Sequence, residues 1–255
     1  MENIPLPKKV SYKAGDMPNT GVVTIEPLFP GYGTTVGNAL RRVLLSSLTG
    51  AAVTAVRIKN VPHEYTTLSK VSEDVLQIIL NLKQLRMKVH SAESVKLTLS
   101  VKGEKTVTAA DFDANSEVDI ANKDLVVAQL TSKDAELEME VWVQNGRGFE
   151  PTEARAEEKR EIGVIAVDSF YSPVRRVQLN VDRARVGQMT NYDKVTLEIE
   201  TDGTIEVEDA IKQSSTVLVE QFAAIGTVGE EVAAAAVADM SGEELVSDSI
   251  TEAGE

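Results

Sequence analysis

The chain has 255 residues, a net charge of −14, no cysteine, 42% hydrophobic residues and 4% aromatic ones. That length suffices for one large domain or two modest ones, with a core of Val, Leu, Ile and Ala rather than of rings. The missing cysteine excludes disulfides, thiolate metal sites and a cysteine nucleophile, and the acidity argues against a direct grip on nucleic acid.

Eight acidic residues, and no Lys or Arg, fall between Thr227 and Glu255, leaving −6 of the −14 for residues 1–226. An acidic body of this kind can still serve a nucleic-acid machine by binding its other proteins. The opening MENIPLPKKVSYKAGD has no apolar h-region, which predicts no secretory signal. No run of about 18 apolar residues is present to span a membrane.

In chain order, VVTIEPL reads as a strand closed by Pro27 and Pro30. A glycine turn follows, then a helix starting near Thr34 or Thr35, whose hydroxyls can cap it. That helix is expected to end before Thr49, with Gly50 as its C′ residue. AAVTAVRIKNV is a strand and HEYTTLS a loop. VSEDVLQIILNLKQLRMKV is a second helix, capped by Ser72 with Asp74 in its first turn. VKLTLSVKG, KTVTAADF, EVDIANKDLVVAQL and AELEMEVWVQNGRGF read as short antiparallel strands in a meander. EPTEARAEEKRE reads as a mobile loop or hairpin tip. IGVIAVDSFYSPVRRVQLNV and DKVTLEIETDG resume strands, and Glu206–Ile225 is a third helix. The last 29 residues lack aromatics and are expected to be disordered, with transient helix over AAAAVA as the alternative.

Gly31, Gly33 and Gly37 are spaced G-x-G-x-x-x-G, which matches neither the dinucleotide fingerprint nor the P-loop, and there is no lysine at the helix start. A bare helix N-terminus can still hold an anion. A nucleotide-binding enzyme using the Gly31–Gly37 turn is therefore the alternative functional reading. The structural reading is that the glycines permit a tight turn and close approach of another backbone.

The helix after the turn has two faces. Val36, Ala39, Leu40, Val43, Leu44 and Ser47 share one, which is core or a partner helix. Asn38, Arg41, Arg42 and Leu45 share the other. A leucine between arginines on an outward face has the composition of a protein contact, or it is a single surface leucine. In the third helix Val207, Ile211, Ser214, Leu218, Phe222 and Ile225 form one long stripe. It is either a dimer seam or packing within the chain, and spacing alone favours packing.

Catalytic constellations are missing from the pattern. His63 and His90 lie in separate segments, and no H-E-x-x-H, G-x-S-x-G or D-x-D-x-D run occurs. Glu157-Glu158 and Glu230-Glu231 read as solvated charge, and Trp142 as a packing residue. No catalytic, cofactor-binding or metal-binding residue is expected.

The segment EPLFPGYGTTVGNALRRVLLSSLTGAAVTAVRIKNVPHEYTT resembles the signature of the bacterial DNA-directed RNA polymerase alpha subunit. EDVLQIILNLKQLR, VTAADF, NGRGF, IGVIAVDSFYSPVRRV, RVGQMTNYDKVTLEIETDGTI and EDAIKQSSTVLVEQ extend the likeness in order over roughly residues 20–225. The resemblance implies an α+β fold in two parts: a dimerisation subdomain from residues 1–50 and 171–226, and a mostly antiparallel β insert over 51–170, before an acidic tail at 227–255. It also implies a homodimer that scaffolds the beta and beta-prime subunits in the cytoplasm. RNA synthesis from NTPs on DNA, with Mg²⁺, would then be the work of those partners. The beta contact carries over to Arg41, Arg42 and Leu45, and a further large-subunit contact to Lys83, Arg175 and Arg176. The dimer interface carries over to the two helices, through Val36, Leu40, Val43, Leu44, Ile211, Leu218, Phe222 and Ile225. The family's C-terminal DNA-binding domain has no room before Glu255, which puts promoter-element and activator contact by that route in doubt.

Overall fold

A computed structural model describes residues 4–15, 17–155, 161 and 163–242, with side chains described as far as residue 226. By contacts the chain divides into one unit up to Ser214 and a second from Ser215.

Within the first unit, strands from both ends of the chain make one sheet. These are β1 (Lys9–Ala14), β2 (Thr20–Leu28), β13 (Val174–Val186) and β14 (Met189–Thr201), in the antiparallel order β1-β2-β14-β13. Helix α1 (Tyr32–Ser46) packs on β13 and β14. Along β14, Asp193, Val195, Leu197, Ile199 and Thr201 are buried at every second position, the period of a strand with one covered face. Pro27 lies beside a bulge where β14 passes from Asp193 to Val195, a place where the missing amide of proline leaves no ladder bond unmade.

The middle of the chain forms a second sheet, β11-β3-β9-β5, from β3 (Thr49–Ile58), β5 (Val95–Lys102), β9 (Glu136–Arg147) and β11 (Ile165–Ala166). Its buried face meets α2 (Val75–Leu82) and the pairs β4 (Met87–Val89) with β7 (Val118–Ile120) and β6 (Lys105–Thr108) with β8 (Val126–Leu130). The resulting core runs from Val53 to Val167 and is almost wholly aliphatic, as the scarcity of rings requires. A last short ribbon joins β10 (Phe149–Glu150) to β12 (Ser169–Phe170). The class is α+β, with most strands antiparallel.

Several expectations from the sequence are corrected. Helix α1 begins at Tyr32 after Gly31, whose φ of 87° suits glycine. Thr34 and Thr35 donate back to Gly31 O instead of capping. Gly50 is not a helix C′ residue. It lies in β3, where a Cβ would sit 1.9 Å from Tyr171 O. Helix α2 is capped by Asp74, whose Oδ1 accepts from Gln77 N at 2.7 Å, not by Ser72. It stops at Leu82, so Met87–Val89 is strand rather than helix. The strands are antiparallel but nested, with β5 beside β9, not a meander. Strand β3 does not alternate strictly. A bulge at Thr54 interrupts its register with β9, and Ala52–Val56 are all buried.

EPTEARAEEKRE is not uniformly a loose tip. Arg155 is buried, donates from Nη2 to Val167 O at 2.8 Å and Ser169 Oγ at 3.0 Å, and from Nη1 to Thr54 O at 3.4 Å. A buried guanidinium must spend its donors on fixed acceptors, and here it ties the bulge in β3 to β12. Glu157 and Glu158 lie outside the described residues. The third helix, α3, runs Val207–Gly242, so residues 227–242 are helical where disorder was expected. The rest of the tail lies outside the described residues.

Candidate functional site: an assembly face on helix α1

The buried stripe of α1 is Gly33, Gly37, Leu40 and Leu44. The glycines form its deepest contact. A Cβ on Gly33 would meet Asp193 Cβ and Val181 Cγ1 at 2.8 Å, and one on Gly37 would meet Leu179 Cδ1 at 2.6 Å. At Gly33 the helix therefore lies against the sheet at a distance that only glycine allows, whereas at Gly37 the neighbour is the end of the half-buried Leu179 side chain. Gly33→Ala is expected to cost about 1–3 kcal/mol, the usual range for overpacking, read from the urea midpoint.

The helix N-terminus is filled from within the chain. Asp193 Oδ2 accepts from Gly31 N at 2.9 Å and from Gly33 N at 3.0 Å. A carboxylate there complements the helix dipole and uses the amides a phosphate would need. This corrects the nucleotide reading of the turn: the anion it binds is a side chain of β14.

Leu40 and Leu44 are buried against the chain's own sheet, so their place in a dimer interface is corrected to intramolecular packing. Val36 and Val43 are only half-buried. On the other side Arg41 and Arg42 are exposed and Leu45 is half-buried. No carboxylate among the described residues pairs with either arginine. In so acidic a chain, two free guanidinium groups beside a leucine form a surface suited to a partner.

Lys83 caps the end of α2 and reaches Asp168 Oδ2 at 3.4 Å. The Asp168 carboxyl is held below its usual range, first by the Thr152 amide and also by Lys83, against the effect of burial. Arg175 and Arg176 are both exposed because a bulge between Val174 and Arg176 breaks the alternation of β13. Arg86 was not singled out from sequence. Burial, and then the charge of Arg175, lower its pKa, while Asp202 opposes them.

In α3, Val207, Ala210 and Ser214 are buried and Ile211 is half-buried. In the second unit Leu218 is half-buried, whereas Phe222 and Ile225 are 64% and 69% exposed. Val219, which the stripe omitted, is equally open. His63 Nδ1 lies 3.2 Å from Thr66 Oγ1, and His90 Nε2 lies 2.9 Å from Asp119 Oδ2. Each sits with its own local partner. Among the described residues no three His, Cys, Asp or Glu side chains are placed to hold a metal, and no helix is long and apolar enough to cross a membrane. Trp142 is half-buried, with the Arg57 guanidinium 5.7 Å from its ring centre.

These features define an α+β protein whose terminal segments share one sheet and whose middle folds into a β-rich insert. Residues 56–172 match the family model described as the RNA polymerase Rpb3/RpoA insert domain. The match points to the RNA polymerase alpha/Rpb3 family.

Proposed function

We propose that this chain is an alpha subunit of a bacterial DNA-dependent RNA polymerase, acting as a homodimer that scaffolds the beta and beta-prime subunits. The insert-domain match supports the family. The observation that carries the role is the face of exposed Arg41 and Arg42 beside half-buried Leu45, on a helix whose opposite stripe is already committed to the chain's own sheet. Residues 1–50 and 171–226 form the dimerisation part, 51–170 the insert, and 227–255 an acidic tail. Arg41, Arg42 and Leu45 receive beta. Lys83, Arg175 and Arg176 serve the other large-subunit contact. Val36, Val43, Ile211, Leu218, Phe222 and Ile225 serve the dimer. Phosphodiester synthesis and its Mg²⁺ belong to the partner subunits, and the complex works in the cytoplasm.

Light scattering tests both steps. The purified chain is expected at twice 27.6 kDa, rising when purified beta is added. Arg42→Ala is expected to keep the dimer mass and weaken capture of beta by about 2 kcal/mol, the scale of a hot-spot arginine. A monomer indifferent to beta would refute the scaffold reading. Unchanged capture by Arg42→Ala would remove the role given to that residue.

A further inference from the structure

The ribbon beside α1 carries two exposed rings that the reading above leaves without a role. Phe149 on β10 and Phe170 on β12 are register partners, and they are 59% and 48% exposed. Cross-strand partners stand on the same face of a ribbon, so the two rings make one apolar patch.

The ribbon is held firmly. Gly148 turns the chain at φ 64°, and Tyr171 N donates to Gly148 O at 2.8 Å. Tyr171 Oη donates to Glu150 Oε2 at 3.0 Å, and buried Ser169 donates to Val53 O at 2.9 Å. The exposed rings therefore sit on an anchored element, where their lost burial is a standing cost.

The ribbon begins beside the C-terminal end of α1. Arg147 pairs across the ladder with Thr49 and donates from Nε to Thr49 Oγ1 at 3.3 Å. The Cβ position of Gly148 lies 3.5 Å from Ser46 O, at the end of α1 that bears Arg42 and Leu45. Arg147 is also exposed and without a carboxylate partner among the described residues. Arg147 thus borders the two rings, on a ribbon that starts one helical turn beyond Arg42.

We propose that Phe149 and Phe170 are the apolar anchor of the docking surface that begins at Arg42 and Leu45, and that its occupant is a large-subunit segment presenting an apolar side chain among Asp or Glu residues. This rests on the preceding assignment of that face to a large subunit. Charge decides the kind of occupant. A carboxylate-bearing segment neutralises the arginine border, whereas a second copy docked by twofold symmetry would oppose the same arginines to one another.

The test uses the full chain and purified beta. The Phe149→Ser/Phe170→Ser double variant is expected to keep its melting temperature and dimer mass and to lose about 30-fold in affinity, the scale of losing hot-spot anchors. The Phe149→Leu/Phe170→Leu variant should retain most of the binding. Hydrogen exchange on the wild-type complex covers the case of a serine variant that misfolds, since amides of 147–150 and 169–171 should gain protection when beta binds. Unchanged affinity or unchanged protection, with Arg42→Ala still weakened, overturns the anchor and leaves the assembly role intact. A wild-type chain that does not capture beta overturns both. A serine variant that loses its dimer mass instead would assign the patch to self-association and overturn the proposal.

Discussion

Asp193→Ala is expected to destabilise the first unit by about 3 kcal/mol and to loosen α1 from its sheet. The residue is buried, and its Oδ2 serves two amides at the helix start. Hydrogen bonds to a charged acceptor contribute about 1.5–3 kcal/mol each, and alanine would leave the Gly33 amide unsatisfied in a buried setting. Asp193→Asn keeps an acceptor oxygen but loses the charge that favours the helix dipole, so it should fall between wild type and alanine. Urea midpoints of the three proteins check the order. An alanine variant as stable as wild type would show that water or another group satisfies the amides. Because α1 carries Arg41, Arg42 and Leu45, the alanine variant should also weaken capture of beta without touching any contact residue.

Phe222→Asp is expected to convert the proposed dimer to a monomer at micromolar concentration while leaving the melting of the first unit unchanged. Phe222 and its helix neighbours Val219 and Ile225 are all largely exposed within the chain. An aspartate there removes no packing that the structure records inside the chain. In a helix–helix interface it would place an unpaired charge against apolar side chains, a change that costs several kcal/mol. Sedimentation velocity reads the mass directly. A Phe222→Asp protein that still sediments as a dimer would move the interface elsewhere, with Val36 and Val43 of α1 as the next residues to test.

Periodicity and punctuation located most elements, because they act over a few neighbouring residues. The alternation in β5 and β9 and the apolar run of α2 needed no tertiary information. What periodicity misjudged was depth. In α1 it placed the valines and leucines on the core face and left the glycines to the turn, yet Gly33 and Gly37 make the closest contact. Hydrophobicity cannot mark a residue whose contribution is the absence of a side chain. The helix lengths slipped for a related reason: a local pattern does not say where a partner strand captures the chain, as happens at Met87–Val89.

Of the two buried charged residues Asp193 and Arg155, only Asp193 carries a signal legible in the sequence. Asp193 stands in phase with Val195, Leu197 and Ile199, so a carboxylate fell on the covered face of a strand. Such a residue needs buried donors, and the glycine amides supply them. Arg155 offered no such phase. Its burial depends on a bulge in β3 about a hundred residues away and on Ser169, which only the folded chain brings together.

By itself the sequence determined the aliphatic core and an outward pair of arginines beside Leu45, since composition and local period set these, while the α+β class followed from the family resemblance. The tertiary structure decided that the glycine turn is closed by Asp193 and that Leu40 and Leu44 belong to the chain's own core. It also set two exposed rings from distant strands at the end of α1. Each of these depends on which residues, far apart in the chain, share a few ångströms of space, and no local pattern encodes that distance.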